Sequence, residues 1–124
     1  MAVKDYSHLE TWQRAMDLAE AVYAATRGYP KDEMYGLTSQ TRRSAVSVPS
    51  NIAEGQGRGS AREFVRFLAV ARGSLCELET PLLLGARLKY VHDGVLETLL
   101  KQSATVGRLL NGLIRSVAPP ADLQ

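Results

Sequence analysis

Apolar residues recur at alternating gaps of three and four positions along most of this 124-residue chain, and this spacing is the feature that most constrains its fold. It places apolar side chains on one face of an α-helix, whereas a half-buried strand alternates at every second residue. No segment shows the alternation of a strand. Divided at its turn residues, the pattern predicts four helices, at 7–27, 36–55, 60–89 and 93–117. Short turns between helices of such length predict an all-α fold, an antiparallel up-down four-helix bundle.

The chain is predicted to form a single domain over residues 1–124, because 45% hydrophobic residues at this length suffice for one core. Residues 118–124, which include two consecutive prolines, are expected to form a flexible tail. No apolar run approaches the roughly 18 residues needed to cross a bilayer, and the N-terminus lacks the layout of a signal peptide. We therefore expect a cytoplasmic protein that does not associate with membranes.

Pro49 interrupts the second predicted helix, in the segment AVSVPSNIAEGQGRGS at residues 45–60. An interior proline removes a backbone hydrogen bond and costs about 3 kcal/mol. Either the helix ends near Ser47 and another begins, or a single helix bends at the proline. The apolar register continues unbroken past Pro49, which favours one Pro-kinked helix that ends at Gly55.

Helix starts are indicated by side chains that accept hydrogen bonds from free backbone amides. Ser7 with Glu10, and Ser60 with Glu63, have the S-x-x-E spacing of a capping box. Asp93 is the predicted N-cap of the fourth helix.

The sequence offers little material for catalysis or metal binding. One cysteine and two distant histidines, His8 and His92, lack the spacing of zinc or di-iron ligands. The segment GQGRGS fits neither a P-loop nor a dinucleotide fingerprint. Cys76 lies in an apolar helical pattern, which favours a small buried side chain over a reactive thiol. We predict a noncatalytic protein with no metal site and no cofactor.

Basic residues are concentrated in residues 40–72, which hold six arginines, no lysine and two glutamates. Arginine presents a planar fork of donors that matches phosphate or carboxylate. The excess therefore predicts either anion recognition or a solvated face with salt bridges to a neighbouring segment. For anion recognition, the candidate phosphate contacts are Arg42, Arg43, Arg58, Arg62 and Arg66. The last three are spaced by four residues beside a predicted helix N-terminus, where free amides also favour anions.

Two further patterns concern partners. Tyr29 and Tyr35 lie in the long turn after the first helix, where they either stack on RNA bases or, as the favoured alternative, pack on the bundle. The fourth helix carries more apolar residues than a bundle needs, and these predict a homo-oligomer: Val95, Leu100, Leu109 and Ile114.

The segments LETWQRAMDLAEAVY and YGLTSQTRRSAVSVPSNIAEGQGRGSAREFVRFLAVARGSLCELET resemble the 23S rRNA intervening sequence proteins, a four-helix bundle family also described as ribosomal-protein-like. The resemblance covers roughly residues 6–117 and is most specific from Tyr35 to Gly57. It implies a ring-like homopentamer and a noncatalytic role. The chain is also distantly similar to accessory proteins of diversity-generating retroelements, which are basic rings that partner a reverse transcriptase and nucleic acid.

Together, the residues and the resemblance lead us to expect a noncatalytic, oligomeric accessory protein that binds RNA or the ribosome through its arginine-rich surface. The alternative is a protein-interaction scaffold without a nucleic-acid role, in which the arginines bind acidic groups of a neighbouring subunit or of a protein partner.

Overall fold

The computed structural model of the protein describes residues 6–118 and contains four α-helices. They are α1 (Glu10–Thr26), α2 (Leu37–Gly57), α3 (Ala61–Arg87) and α4 (Asp93–Val117), with a short 3-10 helix, Lys31–Glu33, before α2. No strand occurs within residues 6–118. The predicted all-α four-helix bundle is confirmed, and each predicted helix end lies within three residues of the observed one. Most of the predicted tail, residues 119–124, lies outside the described residues.

The helices surround a main apolar core, and a smaller buried cluster consists of Tyr29, Leu37 and Val91. Each helix contacts the next along the chain, and α1 also contacts α4. Within the described chain, no helix is both long and apolar enough to cross a membrane. The largest fully buried apolar side chains come from all four helices: Leu18, Val22, Val48, Ile52, Leu68, Leu78, Leu82, Leu99, Val106 and Leu110.

Two of the three connections meet at the same end of the bundle. The ring of Tyr29, after α1, lies 5.3 Å from the ring of Tyr90, after α3, and the Tyr90 hydroxyl donates to Glu33 Oε2 at 3.0 Å. We call this the tyrosine end, formed by residues 27–36 and 88–92 with the adjoining helix ends. The third connection, residues 58–60, follows the 21-residue α2. A helix of this length is about 30 Å long, so this glycine-turn end is far from the tyrosine end.

Pro49 is buried inside α2, which continues through it from Leu37 to Gly57. Two separate helices at this point, the alternative raised by the sequence, are therefore not observed. A bend at Pro49 stays a prediction. Two hydrogen bonds flank the proline. Asn51 Nδ2 donates to the Ser47 carbonyl at 2.8 Å within α2, and the hydroxyls of Ser47 and Ser74, 2.7 Å apart, join α2 to α3.

The sequence predicted that α2 ends at Gly55, and this prediction was wrong. The helix runs on to Gly57, and Gly55 is buried against the start of α3. A Cβ built on Gly55 would lie 2.6 Å from the Cβ of Phe67 and 3.3 Å from the carbonyl oxygen of Phe64. A glycine is therefore required here for close approach of the two helices. The turn itself uses Gly59, whose φ of 80° is left-handed.

The capping box predicted at α3 is confirmed in its first half, since the Glu63 amide donates to Ser60 Oγ at 3.1 Å. The Glu63 side chain instead binds Arg66. The prediction for α4 was wrong by one residue: His92 is the N-cap, without a side-chain hydrogen bond, and Asp93 is the first helical residue. A carboxylate in the first turn still interacts favourably with the helix dipole.

The capping box predicted at Ser7 was also wrong. Residues 6–8 form a 3-10 turn, and α1 begins only at Glu10, with Leu9 as an N-cap that makes no side-chain hydrogen bond. The ring of Tyr6 packs edge-on against Trp12 at 5.2 Å, which holds this turn against the first helix.

Cys76 is exposed, contrary to the burial that its apolar neighbours had suggested. It directly follows Leu75, which belongs to the core. A step of one residue rotates a helical side chain by about 100°, enough to carry it from the buried face to solvent.

Candidate nucleic-acid interface

The five candidate arginines fall into two groups at different ends of the bundle. Arg42 and Arg43 lie in the first two turns of α2, towards the tyrosine end, whereas the glycine-turn end carries Arg58, Arg62 and Arg66. Arg43 and Arg58 are 15 residues apart on or next to the same helix, which corresponds to about 22 Å. The five candidate arginines therefore form two separate basic sites.

At the glycine-turn end, Arg58 and Arg66 converge on one aromatic ring. Their guanidinium carbons lie 4.9 Å and 4.5 Å from the ring centroid of Phe67, within cation–π distance. Phe67 itself is buried, so its position is set by the core. The side chain of Arg62 is exposed on the first turn of α3 nearby. The close approach at Gly55 brings the two helices together where this cluster forms.

Both stacked arginines also bind carboxylates. Arg58 pairs with Glu54 at 2.7 Å, and Arg66 makes two bonds to Glu63, at 3.0 Å and 3.1 Å. The hydrogen bond from Arg66 holds the pKa of Glu63 below its ordinary value, and the charges of Arg66 and Arg58 act in the same direction. Glu63 is therefore ionised at neutral pH, and any phosphate at this site competes with two carboxylates.

Arg42 has a structural role that the sequence did not reveal. Its Nε donates to Thr26 Oγ1 at 2.8 Å, and its guanidinium carbon lies 4.5 Å from the ring centroid of Tyr23. The Thr26 hydroxyl in turn donates to the Val22 carbonyl at 2.8 Å. Arg42 thus fastens α2 to the C-terminal turn of α1, which leaves less of its guanidinium available to a ligand. This contact depends on the packing of α1 on α2, so the sequence alone could not predict it.

Arg43 differs from its neighbour. It is exposed, and its NH1 donates to Ser39 Oγ at 3.1 Å, which directs the guanidinium back towards the start of α2. Within residues 6–118 it pairs with no carboxylate.

The two candidate stacking tyrosines have opposite environments. Tyr29 is buried against Tyr90 and Gly85, so the favoured packing role is confirmed for it, and burial raises the pKa of its hydroxyl. Tyr35 is 94% exposed, just before α2, and beside it Met34 is 53% exposed. Sequence position alone did not separate these two residues, because both lie in the same turn.

Open apolar grooves run between neighbouring helices. One of about 420 Å³ lies between α1 and α2, and one of about 540 Å³ lies between the end of α3 and the start of α4. Met16, Tyr23 and Val46 line the first groove and are each about 40% exposed. Among residues 6–118, no three side chains of His, Cys, Asp and Glu lie together as potential metal ligands.

A model of the 23S rRNA-intervening sequence protein family matches residues 7–112. A similar solved structure is that of a protein with unknown function from the S23 ribosomal protein family, from Bacteroides thetaiotaomicron VPI-5482. It is 27% identical to this chain with a TM-score of 0.64, and the match covers 90% of this chain and 97% of that one. No curated protein matches the chain.

Proposed function

Because the chain belongs to the 23S rRNA-intervening sequence protein family, we propose that it is a noncatalytic, oligomeric accessory protein of the cytoplasm that binds RNA or the ribosome. The RNA backbone binds to the arginine-rich surface, chiefly at the glycine-turn end through Arg58, Arg62 and Arg66. Arg43 adds a contact near the tyrosine end, and Arg42 contributes its charge.

The observation that carries this proposal is the solvent exposure of the paired arginines at the glycine-turn end. The side chains of Arg58 and Arg66 are 47% and 57% exposed, and their carboxylate partners are exposed as well. Solvent-exposed ion pairs of this kind contribute little to stability, so phosphate displaces them at small cost. The ring of Phe67 meanwhile keeps both guanidinium groups in place. Arginine held in this way binds a phosphate with two parallel hydrogen bonds.

Oligomerisation strengthens such binding. The family resemblance implies a homopentamer, and a ring of five chains repeats each basic site five times. When one RNA molecule binds several copies, each later phosphate contact forms at a high effective concentration. Individually weak phosphate contacts then produce useful affinity without reading the base sequence.

The test is the salt dependence of RNA binding. A fluorescein-labelled stem–loop RNA is titrated with the full-length protein at several KCl concentrations, and the logarithm of the binding constant is plotted against that of the salt concentration. The expected slope is negative. Replacing Arg58, Arg62 and Arg66 together with Ala makes it shallower by roughly 0.7 to 0.9 for each phosphate that the variant no longer binds.

The matched control removes the same charge elsewhere. Arg14, Arg72 and Lys101 are also engaged at the surface, with Glu10, Asn111 and Glu97 respectively, and lie outside the cluster. Their triple replacement by Ala should preserve most of the slope. A flat salt response of the wild-type protein, or an equal reduction of the slope in the two triple variants, would contradict binding at the cluster.

The alternative function is a protein-interaction scaffold. It is favoured by the groove between α1 and α2, where Met16, Tyr23 and Val46 expose apolar surface that a protein partner would cover. Absorbance of the purified protein separates the two functions. A 260 to 280 nm ratio typical of protein alone, after purification at low salt, favours the scaffold.

A further inference from the structure

The tyrosine end holds an exposed aromatic ring on a fixed turn. Glu33 anchors this turn, since its Oε1 accepts from the Leu37 amide at 3.1 Å and its Oε2 accepts from the Tyr90 hydroxyl. Backbone hydrogen bonds at 3.1 Å and 3.0 Å fix the amides of Met34 and Gly36 on either side of Tyr35. The 94% exposed Tyr35 ring therefore projects from well-held backbone.

A cation lies at the start of the helix that follows this ring. Arg43 is turned back onto Ser39, which lies in the first turn of α2, and α2 begins two residues after Tyr35. Within residues 6–118 Arg43 has no carboxylate partner. The nearby carboxylate of Glu33 is engaged elsewhere, because it accepts hydrogen bonds from the Leu37 amide and the Tyr90 hydroxyl.

We infer that Tyr35 stacks on an unpaired RNA base while Arg43 binds a phosphate of the same or the adjacent nucleotide. This inference rests on the proposed function and names its substrate class, single-stranded RNA. An aromatic face stacks on any base, and a guanidinium at the start of the following helix holds the backbone to which that base is attached. The site thereby selects unpaired nucleotides over duplex, whose bases are not accessible to an aromatic ring.

The surroundings of Tyr35 favour RNA over a protein partner. An aromatic residue that anchors a protein interface lies in a well-packed, desolvated pocket, surrounded by contacts that exclude water. Around Tyr35, by contrast, the turn and the first turn of α2 present mainly polar, exposed groups, with Met34 as the adjacent apolar side chain.

The test compares two probes of equal length, a fluorescein-labelled 12-nucleotide oligo(U) and a 12-base-pair RNA duplex, against the full-length protein. Tyr35→Ala is expected to weaken oligo(U) binding roughly 10-fold, because base stacking is removed. It should leave duplex binding and the salt slope unchanged, because tyrosine carries no charge. Tyr35→Phe keeps the ring and should bind as the wild type does. Arg43→Ala should make the salt slope of oligo(U) binding shallower by roughly 0.7.

The other outcomes separate this inference from the proposed function. If the wild type binds RNA in a salt-dependent way but Tyr35→Ala binds oligo(U) equally well, the stacking site is refuted and the proposed function stands. If Tyr35→Ala instead lowers the sedimentation coefficient of the assembly, Tyr35 is a subunit contact and the inference is overturned. If the wild type binds neither probe, the proposed function itself fails.

Discussion

The two ends of the bundle use their charges differently. At the glycine-turn end, Arg58 and Arg66 lie over Phe67 and pair with Glu54 and Glu63. The tyrosine end contains six basic and three acidic residues, none of which forms an ion pair within residues 6–118: Arg27, Lys31, Arg42, Arg43, Arg87, Lys89, Asp32, Glu33 and Asp93. The first end is a preassembled guanidinium cluster whose carboxylates a ligand must displace. The second offers charge without such competition.

This difference shows why a count of arginines is a poor guide to a binding site. The spacing of four between Arg58, Arg62 and Arg66 predicted one shared helix side, but Arg58 follows α2, and only Arg62 and Arg66 lie on α3. The same spacing rule also connects Glu54 to Arg58, and a spacing of three connects Glu63 to Arg66. The availability of each arginine depends on its partner.

The largest effect is expected from Gly55→Ala, which tests whether close helix packing builds the glycine-turn end. The new methyl group would meet Phe67 Cβ, which cannot rotate away, so we expect a decrease of about 2 kcal/mol in the free energy of unfolding. Urea denaturation measures it. Gly57→Ala is the matched control, because a Cβ there has no neighbour within 4 Å. Equal stability of the two variants would show that the helices tolerate wider separation.

At the tyrosine end, Arg42→Ala should lower the free energy of unfolding by about 1 kcal/mol, since it removes the hydrogen bond to Thr26 and the packing on Tyr23. Arg43→Ala, an adjacent and equally charged change, should stay within about 0.5 kcal/mol of the wild type. Both values come from urea denaturation at constant ionic strength. If the two variants are equally destabilised, Arg42 has no special role in fastening α2 to α1.

A smaller effect of opposite sign is expected from Tyr29→Phe. The buried Tyr29 hydroxyl has no hydrogen-bond partner within the described residues, so its removal should raise the free energy of unfolding by about 0.5 kcal/mol. Tyr90→Phe provides the contrast, because it removes the hydrogen bond to Glu33 and should not stabilise the protein. Thermal unfolding of both variants would check the difference. A destabilised Tyr29→Phe would indicate that a bound water satisfies the hydroxyl.

The smallest effect concerns ionisation at the glycine-turn end. Since Arg66 lowers the pKa of Glu63, their pairing is complete above the ordinary glutamate pKa and disappears as the pH falls through the lowered value. Arg66→Ala should return the pKa of Glu63 towards its ordinary value, as measured by NMR titration of the side-chain carboxyl carbon. Arg43→Ala, at the other end, should leave it unchanged. An unchanged titration in Arg66→Ala would mean that the two side chains are not paired in solution.

Much of the fold was predictable because its determinants are local. The helices, the cap at Ser60 and the passage of α2 through Pro49 follow from residue spacing and backbone chemistry within a few positions. The error at Gly55 has a non-local cause, because the proximity of Phe67 requires a glycine inside α2. Such packing joins residues whose proximity no local pattern shows.

The candidate site likewise has some features that the sequence determines and others that depend on helix packing. The sequence by itself determined the number of helices, the concentration of arginines in residues 40–72 and the family resemblance, since each depends on residue identity and order. Tertiary structure alone decided that Arg42 is fastened to α1, that Tyr29 is buried while Tyr35 is exposed, and that two stacked arginines share one ring. The physical reason is that the availability of a charge or an aromatic face depends on what lies within a few ångströms of it. Helix packing brings those neighbours together.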